Sequence, residues 1–189
     1  MNKIKYGLKN VMYAIAHISS TNGTATYDTP VAWPGAVSLS LDAEGEINKF
    51  YADNIAYAQF AANAGYSGSF ESALIPESFR QDVLGEGVDS NGVQYETSNA
   101  SATPFALLFQ FEGDENATRY VLYNCAASRP QISGNTTEES LEAQTETVDL
   151  AVSAVHNATL DEDIIRAKVT KSTATSATYE SWFTDVYQA

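Results

Sequence analysis

Phe105-Ala106-Leu107-Leu108-Phe109-Gln110-Phe111 is the stretch that decides the fold class of this chain. Phe105, Leu107, Phe109 and Phe111 alternate with Ala106, Leu108 and Gln110. A period of two marks a strand, and a strand apolar on both faces belongs in the middle of a sheet. Downstream, Gly113-Asp114-Glu115-Asn116 links it to residues 119–126, most simply as a hairpin. Val148, Leu150 and Val152 alternate with Thr147, Asp149 and Ser153, and Ile165, Ala167 and Val169 with Arg166, Lys168 and Thr170.

Upstream the same rhythm recurs. Residues 11–18 read as a first strand, closed by a turn at Thr21-Asn22-Gly23-Thr24. Pro30 and the Trp33-Pro34-Gly35 corner interrupt regular structure. Val37, Leu39 and Leu41 then alternate with Ser38, Ser40 and Asp42, and Glu44-Gly45 reads as a hairpin turn into residues 47–52. Residues 55–61 and 66–74 are also extended, and Asn91-Gly92 is a hairpin-type turn. One helix interrupts the series: Pro76 suits a first turn, Glu77 the positive helix end and Gly85 the residue just past the last turn. Phe79, Val83 and Leu84 share a face at helical spacing, in an element of about nine residues that needs a sheet to pack on. The expectation is a mainly β domain, an antiparallel sandwich or barrel of eight or more strands with one short flanking helix.

Composition agrees. The chain has 189 residues, enough for one domain that buries about 70 % of its surface. Eleven Tyr, eight Phe and two Trp, with recurring Val, Ile and Thr, favour strands over helices. The formal charge of −14 argues against a protein built to grip nucleic acid, which neutralises phosphates with Lys and Arg. Basic residues are absent between Lys9 and Lys49, between Arg80 and Arg119, and between Arg129 and Arg166. Either this acidity serves solubility, or it makes a surface past which DNA slides. Cys125 is the only cysteine, so no intrachain disulfide forms, and its apolar run makes it a small core residue. Residues 1–10 carry Lys3, Lys5 and Lys9 without the apolar stretch of a signal peptide, and no run approaches the roughly 18 apolar residues of a membrane span. The chain is expected to be cytosolic when made.

No chemistry emerges. His17 and His156 are each solitary, with no His-x-x-x-His, cysteine pair or Gly-x-Ser-x-Gly. Gly85-Glu86-Gly87 follows a helix where a phosphate cradle precedes one. Asp89-Ser90-Asn91-Gly92 has its glycine two positions early for a calcium loop, and Asp161-Glu162-Asp163 reads as a solvated strand edge. No catalytic residue, metal site or cofactor is expected, and the chain is read as no enzyme. Near the C-terminus Tyr179, Trp182, Phe183 and Tyr187 cluster. They either complete the domain's own core or dock on a neighbour, since aromatics concentrate in interface cores.

The order of these segments resembles the siphophage major tail protein family along nearly the whole chain. The matching residues begin with Tyr6-Gly7-Leu8-Lys9-Asn10-Val11, then Tyr27-Asp28-Thr29-Pro30 leading to Pro34-Gly35-Ala36-Val37-Ser38-Leu39. Gly65-Tyr66-Ser67-Gly68, Ile75-Pro76-Glu77, Val83-Leu84-Gly85 and Pro104-Phe105-Ala106-Leu107-Leu108-Phe109 follow, then Glu112-Gly113-Asp114. Residues 126–130, Thr136-Thr137-Glu138-Glu139-Ser140 and Thr145-Glu146-Thr147 complete the series. Residues 89–103 and 174–189 fit it less clearly.

The resemblance implies two packed antiparallel sheets flanked by one helix, in a subunit of hexameric rings stacked into a non-contractile tail tube. It implies an N-terminal arm over residues 1–10, a tube domain over 11–172, and a C-terminal arm or final strand over 173–189. Partners would be other copies of the chain, a tape-measure protein and tail-end proteins, with DNA passing through the lumen unbound. The location would be the virion tail. On this reading Lys3, Lys5, Lys9 and the four C-terminal aromatics make contacts between subunits or rings. Part of the acidic set Glu138, Glu139, Glu142, Glu146 and Asp149 faces the lumen or a basic arm, or else forms a solvated outer edge. The tube protein of a contractile or secretion-type injection system, and a non-tube β-sandwich binding module, are the alternatives.

Overall fold

The computed structural model describes residue 4, residues 6–136 and residues 143–188. Strands β1 (Tyr6–Ile18), β2 (Ala25–Tyr27), β3 (Val31–Ala32) and β4 (Ala36–Glu44) are followed by the ribbon strands β5 (Ile47–Ala52) and β6 (Ile55–Ala61), and by β7 (Gly65–Ser72). Helix α1 (Glu77–Asp82) leads to β8 (Gly87–Val88) and β9 (Gln94–Tyr95). Then come β10 (Phe105–Glu112), β11 (Arg119–Ala127), β12 (Glu146–Ser153), β13 (Val155–Asn157), β14 (Glu162–Ile164), β15 (Arg166–Val169) and helix α2 (Ser176–Ser181).

The fold is mainly β, built on one large antiparallel sheet of order β2-β1-β10-β11-β12-β7-β4, with β3 added to β1 and β15 to β11. As the alternation requires, β10 lies between β1 and β11 and is buried on both faces. Phe105, Leu107 and Phe109 enter one core with Tyr13, Phe70 and Leu150. Ala106 and Leu108 point the other way, into a second core with Val121, Tyr123 and Trp182. The far strand β4 returns to touch β1, so the sheet wraps round the first core.

Helix α1 closes that core. Phe79, Val83 and Leu84 are buried, and Gly85 takes the left-handed φ of +74° that ends the helix. Both ends of the helix are tied to β12 and the adjoining loop by one carboxylate. Glu146 accepts the Ile75 N–H at 2.6 Å and the Arg80 guanidinium at 2.8 Å, and Arg80 also pairs with Glu86 at 3.6 Å.

Three differences from the sequence reading are instructive. Strand β1 begins at Tyr6, inside the segment expected as an arm, because Tyr6 pairs with Glu112 and Leu8 with Phe111. A second helix, α2, is present, with Thr175 capping it through the Thr178 N–H. Glu44-Gly45 does not turn β4 back on β5: β4 pairs with β7, while β5 and β6 pair only with each other. Gly45 is needed at the root of that ribbon because a Cβ there would stand 1.9 Å from the Ala62 carbonyl oxygen.

The cores also set the protein's response to base. Cys125 is fully buried, and burial pushes its thiol up. Burial likewise raises the phenols of Tyr27 and Tyr123, and raises Tyr13 to about 12. An unfolded chain ionises cysteine near about 8.5 and tyrosine near about 10. Above those values the unfolded state releases protons that the folded state keeps, so stability is present below them and falls as pH rises. Tm is therefore expected to drop steadily from about pH 9 toward pH 12, with Cys125 alkylated only after unfolding. A flat Tm over that range, or alkylation of the folded chain, would contradict this assignment.

Candidate interaction surface

The β5–β6 ribbon stands apart from both cores. Its turn is Asp53-Asn54, with φ of 52° and 61°. Two successive left-handed residues make the turn whose twist suits a two-residue hairpin, and Asp and Asn tolerate it. Ile47, Phe50, Tyr51, Ile55, Tyr57 and Phe60 are all between 58 and 71 % exposed. A lone two-stranded hairpin is marginal in water, and an apolar patch of this extent on a single chain marks a binding surface. The sequence reading identified these strands and not their exposure.

A second feature favours association. Strand β4, nine residues long, ends the path of the large sheet, and no other described strand is hydrogen-bonded to its outer edge. Unpaired edges are templates for another chain. Between β4, β10 and β11 the wrapped sheet also leaves an open apolar mouth of about 340 Å³, lined among others by Leu39, Leu41, Tyr66, Phe111 and Tyr120. Its one charged lining residue is Arg166, whose guanidinium lies 5.8 Å from the Tyr66 ring centre.

The residues singled out from sequence fall into three groups. Lys3, Lys5, Glu138, Glu139 and Glu142 lie outside the described residues. Lys9 is on β1 and pairs with Glu112 of its own chain at 3.4 Å, both side chains well exposed. Glu146 is committed to Arg80 and Ile75, whereas Asp149 is exposed on β12.

The C-terminal aromatics are largely internal. Trp182 is buried and donates its indole N–H to the Tyr120 carbonyl at 3.4 Å. Tyr179 is buried too; its hydroxyl donates to the Ala117 carbonyl at 2.8 Å. The Arg119 guanidinium sits 3.8 Å from the Tyr179 ring centre and 4.8 Å from that of Phe183, and donates to the Tyr179 carbonyl. Tyr187 stacks on Trp182 at 5.5 Å, its carbonyl accepting the Tyr123 hydroxyl, and remains 39 % exposed. Trp182 thus completes the chain's own second core, Tyr179 is buried under the Arg119 guanidinium, and of the four only Tyr187 presents substantial surface.

His17 pairs with Asp28 at 3.1 Å and His156 with Asp163 at 3.1 Å, both at the surface. Among the described residues no group of three or more His, Cys, Asp or Glu is placed to hold a metal ion. No helix among them is long and apolar enough to cross a membrane.

No family model matches the chain, and no curated protein matches it in sequence. Among solved structures it is similar to a chain in the cryo-EM structure of the anti-feeding prophage baseplate, 6-fold symmetrised. The TM-score is 0.44 and the identity 12 %, over 89 % of this chain and 96 % of that one. A likeness at that level carries no argument about role.

Proposed function

We propose that this chain is a phage structural protein whose function is its own assembly: the subunit of hexameric rings that stack into a non-contractile tail tube. One observation carries the reading. An apolar ribbon, neutral because Lys49 and Asp53 cancel, projects from a chain of formal charge −14. A body so acidic repels its copies, so association is confined to surfaces where charge is absent and apolar area is large. The free edge of β4 supplies a second contact, and a repeated head-to-tail contact closes into a ring when its rotation closes. The order of segments described under Sequence analysis adds the tube, the tape-measure and tail-end partners, and a lumen through which DNA passes unbound. Acidic residues at such a lumen act over about 8 Å in physiological salt, enough to keep phosphates from adhering. No catalytic step, metal or cofactor has a part in this role.

Negative-stain electron microscopy with sedimentation tests it. Six-fold rings or hollow tubes are expected, and more of them at higher salt, because screening removes repulsion while apolar contacts remain. A chain that stays monomeric at every salt concentration would overturn the reading.

A further inference from the structure

Two cations border the apolar mouth of the wrapped sheet. The floor of the mouth is Phe109 and Leu122, both buried, and its walls include the half-buried Leu39, Leu41 and Phe111. Strand β15 runs along one side, where Arg166 opposes Leu122 and Lys168 opposes Tyr120. Ala167 and Val169 alternate with them and pack on the second core. Arg166 and Lys168 therefore lie on the strand face turned toward the first core and its mouth, and both are exposed. Among the described residues neither makes an ion pair or a side-chain hydrogen bond; the Arg166 guanidinium has the Tyr66 ring, 5.8 Å away. Lys9, Arg80 and Arg129, by contrast, each hold a carboxylate, as expected where acidic residues outnumber basic ones 24 to 10.

We propose that this mouth binds an amphiphilic carboxylate. Its unbranched apolar chain lies on Phe109, Leu122 and the two β4 leucines, and its carboxylate meets the Arg166 guanidinium with Lys168 beside it. The volume of about 340 Å³ falls in the range of small-molecule sites, roughly 300–1,000 Å³, which are likewise mostly apolar with a few polar groups that fix orientation. A guanidinium offers a carboxylate two parallel hydrogen bonds. An amphiphilic cation would meet Arg166 as a like charge, and a neutral chain would leave both cations unused. Elsewhere the body, at a formal charge of −14, repels an anion, so the charged end of the ligand has its place at this rim. The site belongs to the single subunit and stands independently of the assembly reading.

The two ends of the ligand leave separate signatures. Each methylene taken from water tightens binding about fourfold, so decanoate should bind roughly fifteenfold more tightly than octanoate while the mouth still has room. Loss of the charge pair, by replacing decanoate with decanol or Arg166 with glutamine, should weaken binding about tenfold. That is the low end for a hydrogen bond to a charged group, because Arg166 is exposed.

Two measurements on the full chain test the site. Titration calorimetry with sodium octanoate, sodium decanoate and decanol is run at about 0.15 M salt, where the field of the acidic body is screened beyond roughly 8 Å and contact pairing persists. One saturable site per chain is expected, with the order decanoate, then decanol, and the chain-length gain given above. Arg166→Gln lies outside both cores, so its Tm should hold; it should bind decanoate about tenfold more weakly and decanol as the wild type does. NMR of chains labelled at Leu and Ile methyls then locates the ligand. Decanoate should shift Leu39, Leu41 and Leu122 and leave Ile47 and Ile55 of the exposed ribbon in place. No saturable binding, decanol binding as tightly as decanoate, an Arg166→Gln chain with undiminished decanoate affinity, or shifts confined to Ile47 and Ile55 would each overturn the proposal.

Discussion

Phe79→Ala is expected to destabilise the folded chain by about 3–5 kcal/mol, the range for removing a large aromatic from a packed core. Phe79 is completely buried and meets three other rings. Its centroid lies 5.2 Å from Tyr13 and 5.3 Å from Phe105, edge to face in both cases, and 4.1 Å from Trp33 at a tilt. Edge-to-face pairs add to simple burial, so three neighbours lose favourable contacts together. The helix that carries it has six residues and no stability of its own in water. Its side chain holds the helix on the sheet, and alanine leaves the space between these rings unfilled. Urea titration reads the effect as a lower midpoint with an unchanged slope. A loss below about 1 kcal/mol would mean that the site collapses, contrary to this packing.

Trp182→Ala is the second large effect, also about 3–5 kcal/mol if the rest of the C-terminal segment stays docked. The indole buries itself against the second core, donates to Tyr120 and supports the ring of Tyr187. Without it, the outer faces of β10 and β11 lose part of their cover. The segment should then open before the sheet does, because local unfolding draws on the least anchored element. Limited trypsin treatment should cut the variant at Lys171 faster than the wild type, with the sheet's far-UV signal retained. A purely intersubunit tryptophan would give the opposite pattern: weaker assembly with unchanged monomer stability and unchanged cleavage.

Much of the architecture was legible because alternation reports directly on burial. In β10 the two apolar sets name both cores before any partner is known. For β5 and β6 the same rule was silent. Ile47, Phe50, Tyr57 and Phe60 have the composition of an ordinary buried strand, and whether a face meets a core or solvent depends on strands distant in sequence. The hairpin turn was misplaced because Gly is the stronger punctuation mark, although Asp53-Asn54 carried the chemistry of the observed turn. Helix α2 left a usable trace: Tyr179, Trp182 and Phe183 stand at i, i+3 and i+4, the spacing of one helical face. The role of Glu146 was hidden for a different reason. Its partner Arg80 is 66 residues away, and a run of acidic residues resembles a solvated edge until the sheet brings β12 beside α1.

The pairing of β1 with β10 sets a schedule for the newborn chain. Tyr13 opposes Leu107, so the first long strand leaves the ribosome more than ninety residues before its central partner. At bacterial or eukaryotic synthesis rates that interval is on the order of ten seconds. The aromatic ribbon emerges inside it, while no core yet exists. Crowded nascent chains on one message would then present sticky ribbons to each other before any subunit is complete. Charge gives little protection at that stage: residues 1–61 hold five acidic and four basic residues, a net of −1, against −14 for the whole chain. The acidity is carried almost entirely by residues 62–189, with 19 acidic against 6 basic residues, so mutual repulsion between chains builds only as β10 and the strands after it are made.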